Sequence, residues 1–224
     1  MAGSWAGMLR AMRTLVTGAT GFVGRAAARR LLDDGGEVVP YVRDAGRSIG
    51  DPNAMAAAAD GADVVLHCAA VTNLRAAPRA LRWVNVAGTE NVVQAARLAG
   101  CRRMVHLSCA DVTLDNTDRV NWSESRELMG PPLGRHAQSK QLGEEIALTN
   151  SSDELEVVAL RPAWIWGPGD DSRLPGLCAE GLGGGVRLVG RGDNLVAITF
   201  IDNLVDAIFA AMHAELAVGG AYYI

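Results

Sequence analysis

Long apolar runs are missing from this 224-residue chain. No stretch approaches the roughly 20 residues needed to cross a bilayer, and the opening residues lack the continuous apolar core of a secretory leader. Cysteine is sparse: Cys68, Cys101, Cys109 and Cys178 form no Cys-x-x-Cys. Neither a disulfide framework nor a locally encoded metal site is indicated, no metal is expected, and a reducing cytoplasm is the expected compartment. Charge of one sign is also lacking, since the net charge is only −4, which gives no broad attraction to nucleic acid or to an anionic membrane. Aromatics make up 5% and include just three tyrosines, a scarcity that matters for any chemistry requiring a phenol. The pairs Arg29-Arg30 and Arg102-Arg103 read as solvated helix ends or turns.

What is present is a 49% hydrophobic composition rich in alanine, glycine, valine and leucine, suited to buried parallel strands under closely packed helices. The length fits one core: residues 12–224 as a single dinucleotide-binding domain, with 1–11 a flexible N-terminal extension and partial substrate-binding segments at about 165–200. The key stretch is Arg13-Thr-Leu-Val-Thr-Gly18-Ala-Thr20-Gly21-Phe22-Val23-Gly24, where a short apolar run breaks into three glycines three residues apart and then into helical spacing. It reads as strand, phosphate loop and helix. Gly18 allows a sharp turn, Gly21 a close backbone approach to a pyrophosphate, and Gly24 a close helix; the free N–H groups of the helix N-terminus suit phosphates. The spacing GxxGxxG departs from the generic GxGxxG pattern.

Thr-Gly-Ala-Thr-Gly-Phe-Val-Gly resembles the loop of the extended short-chain dehydrogenase/reductase superfamily, of the epimerase/dehydratase or 3-beta-hydroxysteroid dehydrogenase type, whose members bind NAD or NADP there. Further stretches carry the resemblance along the chain: Asp63-Val-Val-Leu-His-Cys-Ala69-Ala70, Asn85-Val-Ala-Gly-Thr-Glu-Asn91, and Arg161-Pro162-Ala-Trp-Ile-Trp-Gly-Pro-Gly169. It implies a doubly wound, Rossmann-type α/β parallel sheet, with the cofactor held by Gly18, Thr20, Gly21, Phe22, Val23, Gly24, Ala69, Ala70, Lys140 and Pro162. The second strand, Glu37 to Val42, ends at Arg43, which points to NADP because an arginine suits a 2′-phosphate; Asp44 follows and would serve the ribose of NAD. Only residues 44 to 50 separate Arg43 from Asp51, too few for a parallel crossover. A shortened connection and a third strand reduced to a stub near Arg47 to Ile49 are expected. Asp51 matches an aspartate that meets the adenine edge, and equally an N-cap for a helix over Pro52 to Ala59.

Helices are further expected over Phe22 to Asp34, Pro78 to Gly100, about Arg135 to Thr149 and Leu204 to His213, with strands at Ala62 to Ala70, Arg103 to Ser108, Glu156 to Arg161 and Tyr222 to Ile224. His67 reads as a packing residue. The resemblance implies a further substrate-binding segment beyond Ile224, so the C-terminal substrate region is read as truncated.

Relatives in this superfamily act with a serine after the strand that precedes the helix and with a Tyr-x-x-x-Lys pair one turn apart on that helix. Here the helix reads His136-Ala-Gln-Ser-Lys140, so the resemblance puts His136 at the tyrosine position and keeps Lys140. Residues i and i+4 share a helix face. Cys109 falls at the serine position, with Ser108 restored to it by a shift of one residue. An unperturbed imidazole titrates near ~6.5 against ~10 for a phenol, so His136 is expected to be neutral at pH 7 and a better proton acceptor than donor. Cysteine is a weak donor. Three readings follow: a nicotinamide-dependent redox step on a small carbonyl or alcohol with His136 as acid/base, a non-redox isomerase, lyase or cyclase, and a cofactor-binding module without turnover. The expected partner is a small-molecule substrate. A homodimer through the helices over 78–100 and 135–149 is the expected assembly, with Ala137, Leu142 and Ile146 either meeting a partner or covering their own sheet.

Overall fold

The computed structural model describes residues 12–43, 48–115, 117–118, 120, 122–124, 130–171, 173–186 and 190–224. The extension 1–11, and Asp44 to Arg47, lie outside that set.

Strand β1 (Arg13–Thr17) leads through the glycine loop into α1 (Phe22–Asp33), followed by β2 (Glu37–Tyr41), α2 (Pro52–Ala59) and β3 (Val64–His67). Next come α3 (Pro78–Leu81), a π-helical segment Arg82–Ala87, α4 (Gly88–Leu98), β4 (Arg103–Leu107), a 3-10 turn Ala110–Thr113 and α5 (Arg135–Thr149). The chain closes with β5 (Glu156–Arg161), β6 (Trp164–Trp166), α6 (Arg173–Leu182), β7 (Ile198–Phe200), α7 (Ile201–His213) and β8 (Ala221–Tyr223). Six strands form one parallel sheet in the order β2-β1-β3-β4-β5-β8, and β6 pairs with β7 separately. Strand order reverses between β1 and β3, as a doubly wound sheet requires.

Strand alternation decides which residues face which helices. Val16, Leu66, Val105 and Val158 stand in register across four strands and pack with Ala27 and Leu31 of α1 and Leu204 and Ile208 of α7. Their neighbours Leu15, Val65, Met104 and Val157 point to the other face, against Met55 of α2, Val92 and Ala96 of α4 and Ala147 of α5. Both faces are covered, which is why these strands read as continuous apolar runs.

Several expectations need correction. Ser48 to Gly50 form no strand, so β2 is the sheet edge among the described residues, a consequence of a connection too short for a crossover. Ile49 is nevertheless buried, and its carbonyl accepts from Asn91 Nδ2 at 3.1 Å. Pro40, exposed on that edge, costs no ladder bond to an outer neighbour. The helix over 78–100 is interrupted by a π-helical stretch, which apolar spacing does not reveal. Arg103 is not solvated: it is 2% exposed, donates from Nε to Glu156 Oε2 at 2.9 Å, and caps the C-terminus of α7 through Nη1 to the carbonyls of Ala211 (2.8 Å) and Ala214 (3.0 Å). Among the described residues no helix is long and apolar enough to cross a membrane.

Candidate functional site

The parallel sheet brings the loops that follow β1, β2, β3, β4 and β5 to one edge, because Thr17, Tyr41, His67, Leu107 and Arg161 all end their strands on the same side. Gly18 turns off β1 at φ 68°, and a Cβ there would lie 2.8 Å from the Ala69 backbone, so the loops after β1 and β3 meet at the point of strand reversal. A Cβ on Gly24 would strike the Gly18 carbonyl. Gly24 therefore packs the first turn of α1 onto the loop itself. Gly21 is the N-cap of α1, extended at φ −72° and ψ 168°, with no side chain bonding the first N–H groups. Those groups face an open cradle in which a Gly21 Cβ would meet only the Gly18 carbonyl, at 3.2 Å. These features fit a pyrophosphate. Thr20 is exposed, Phe22 half-buried and Val23 buried in the core. Val23 thus supports the loop from beneath. Arg25, unremarked in the sequence, joins the loop to the turn after β6 by donating to the Gly169 carbonyl at 3.0 Å.

Beneath the cradle a polar chain fixes the loop after β3. Ala69 N–H donates to Thr17 Oγ1 at 3.2 Å, and that hydroxyl lies 2.7 Å from His67 Nδ1. On the far side of the ring, Nε2 is 3.0 Å from Thr89 Oγ1, whose hydroxyl donates to the Asn85 carbonyl at 2.9 Å. Because each hydroxyl has one proton, Thr89 must accept from His67 Nε2–H, and His67 Nδ1 must accept from Thr17. The ring is thereby a neutral Nε2 tautomer, and burial holds its pKa down at about 3. His67 is structural, in agreement with the sequence.

Asn85 extends this framework to α5. Its side chain is bonded to both backbone groups of Val71, accepting at 2.8 Å and donating at 3.1 Å, and Nδ2 also donates to Ser139 Oγ at 2.9 Å. Ser139 in turn donates to the His136 carbonyl at 2.7 Å. Gly143 allows α5 to lie on the Asn85 carbonyl, which a Cβ would strike. Lys140 and His136 project from α5 one turn apart, both buried. Lys140 Nζ donates to the Leu107 carbonyl at 2.6 Å, and burial lowers its pKa.

Cys109 is half-buried just before the 3-10 turn, and Ser108 is buried beside it. Burial pushes the Cys109 thiol up to about 11, so it is a protonated weak donor at neutral pH and no nucleophile. The structure also collects what sequence spacing did not: Cys109 Sγ, an Asp111 carboxylate oxygen and a His136 ring nitrogen all lie within 4.8 Å of one another. Asp111 was the missed residue. Its only sequence signal was its place two residues after Cys109, and nothing linked it to a histidine 25 positions on. Pro162 is buried, and its carbonyl accepts from Ala110 N–H at 2.9 Å. Arg161 beneath it forms a buried ion pair with Glu144 of α5, Nη2 to Oε1 at 2.5 Å. Arg43 and Asp51 are exposed; Asp51 Oδ1 accepts from Asn53 and Ala54 N–H, so its N-cap role is realised.

The sequence pattern of the NAD dependent epimerase/dehydratase family matches residues 14–224. The chain belongs to this family. It is 35% identical over 234 residues to a 2-alkyl-3-oxoalkanoate reductase of Stenotrophomonas maltophilia, covering 95% of this chain and 70% of that protein. A 2-alkyl-3-oxoalkanoate reductase of Shewanella oneidensis is 33% identical, with 93% and 60% covered. The chain thus spans 60–70% of the length of these two curated relatives. Among solved structures, a dTDP-glucose 4,6-dehydratase from Streptomyces venezuelae with NAD bound superposes at a TM-score of 0.82 and 26% identity, covering 95% of this chain and 75% of that one. The epimerase/dehydratase assignment agrees with the glycine cradle, and the NAD seen in that relative corresponds to the cofactor class expected from the loop.

Proposed function

We propose that the chain is part of a nicotinamide-dependent oxidoreductase that interconverts a ketone and a secondary alcohol on a small molecule. The observation that carries this reading is the gathering of His136, Lys140 and Cys109 at the sheet edge that also holds the glycine cradle. When bound, the nicotinamide supplies or accepts a hydride. Gly18, Thr20, Gly21, Phe22, Val23 and Gly24 form the pyrophosphate end of the cofactor site, Ala69, Ala70 and Pro162 its walls, and Asp51 its adenine end. Lys140 holds the ribose. His136 takes the proton from an alcohol or returns one to the oxygen of a reduced ketone, while the Cys109 thiol or the Ser108 hydroxyl holds that oxygen in place. Two curated relatives named as 3-oxoalkanoate reductases support a ketone as the reacting group, and residues 165–200 contribute to its pocket.

The cofactor is NADP, on the strength of exposed Arg43 at the end of β2 and the absence of an acidic residue at 41–43. Tighter calorimetric binding of NADP, reduced in Arg43→Ala, is the expected outcome. For the reaction, NADPH consumption with a 2-alkyl-3-oxoacid panel should vanish in His136→Ala at unchanged cofactor affinity, whereas Lys140→Met should weaken the cofactor too. Substrate turnover without net change in nicotinamide absorbance would replace the redox reading with an isomerase or lyase. A homodimer is proposed through α5, where Leu142 is exposed and Ile146 half-buried; Ala137 is already covered by its own chain. A monomeric mass by light scattering would overturn it.

A further inference from the structure

We propose that Cys109, Asp111 and His136 form a binding site for a thiophilic divalent cation, with zinc as the natural occupant. One sulfur, one carboxylate oxygen and one ring nitrogen lie within 4.8 Å of one another. A tetrahedral zinc with bonds of about 2.0–2.3 Å sets its ligand atoms ~3.5 Å apart. The cluster has to tighten by at most about 1.3 Å, a movement within reach of side-chain rotation. Thiolate and imidazole together select zinc or cobalt over magnesium and calcium, which prefer oxygen alone.

The ligands stand on fixed elements. Cys109 and Asp111 flank Ala110, whose N–H is anchored to the Pro162 carbonyl at 2.9 Å, and His136 lies in the first turn of α5. The Cys109 sulfur lies against the backbone N–H groups of Asp111 and Val112, donors that favour a thiolate there. Exposure grades from buried His136 through half-buried Cys109 to exposed Asp111, which leaves the fourth coordination position on the solvent side. Three protein ligands with an open fourth position is the pattern of an exchangeable or catalytic zinc. Binding expels the thiol proton to solvent, and the resulting thiolate and carboxylate balance the two positive charges of the metal. The adverse neighbour is Lys140, whose ammonium is tied to the Leu107 carbonyl at 2.6 Å. An imidazole nitrogen that holds zinc cannot also move a proton, so the cation and acid–base use of that nitrogen exclude each other. Binding itself is read without turnover and does not depend on the proposed reaction.

The test uses the wild-type chain, free of cofactor, titrated with zinc by calorimetry and with cobalt by absorbance. One ion per chain and a near-ultraviolet thiolate-to-cobalt charge-transfer band are expected. Cys109→Ser, with near-ultraviolet circular dichroism retained, should lose the band and at least ~100-fold in affinity, since even the outer partners of metal ligands are worth about 10–100-fold. Asp111→Asn should weaken binding at least ~10-fold by the same comparison. No stoichiometric zinc, cobalt bound without the band, or zinc affinity unchanged in Cys109→Ser would each overturn the site; the first two outcomes need no variant.

Discussion

The neutral, buried state of His67 makes acid stability a direct measure of the framework under the cofactor cradle. Its pKa falls from 6.5 to about 3 in the folded chain through burial, with the Lys140 charge adding to the effect. Between those values the unfolded chain takes up a proton that the folded chain refuses, so stability is full above about pH 7 and falls as pH drops through 6.5 toward 3. For one such group the loss between pH 7 and pH 5 is about 2 kcal/mol. His106, 5.2 Å away ring to ring, is also lowered by burial and acts with the same sign. The perturbation is His67→Gln, whose amide is uncharged at either pH. Urea unfolding followed by far-ultraviolet circular dichroism at pH 7 and pH 5 gives the assay. The variant is expected to be less stable at both values, having disturbed Thr17 and Thr89; the quantity read is its smaller drop between them, by about 2 kcal/mol relative to wild type. An equal drop in both proteins would refute the neutral-histidine framework and the tautomer deduced for it.

Gly24→Ala should abolish measurable nicotinamide cofactor binding by fluorescence titration and lower Tm, because its Cβ meets backbone at Gly18. Removing one member of the buried Arg161–Glu144 pair, as in Glu144→Ala, should cost ~3–5 kcal/mol in urea unfolding, while the double variant Arg161→Met/Glu144→Leu should cost much less than the two single changes together. Lys140→Met should raise Tm while weakening the cofactor, since burial disfavours the ammonium that ribose binding calls for; a lower Tm would mean that the bond to Leu107 outweighs desolvation. Arg103→Met should destabilise the chain by stranding Glu156 and uncapping α7, with no change in cofactor affinity.

The chain's local patterns determined a large part of this protein. The break from an apolar run to Gly18, Gly21 and Gly24 fixed the strand, loop and helix, since each glycine answers a backbone demand that other residues cannot meet. Pro52 after Asp51 marked the start of α2, and i, i+4 spacing placed His136 and Lys140 on one helix face. These readings succeed because they concern neighbours within a turn or two. The tertiary structure alone decided the rest. A charge count could not separate Arg102, exposed, from Arg103, buried under the end of α7, because the difference lies in a helix more than 100 residues away. Hydrophobic spacing could not reveal the π-helical stretch around Asn85, which bonds to Val71 and Ser139 on two other segments. Nor could spacing show that Asp111 and His136 converge on Cys109, because that meeting depends on how α5 packs against the 3-10 turn Ala110–Thr113 and β5.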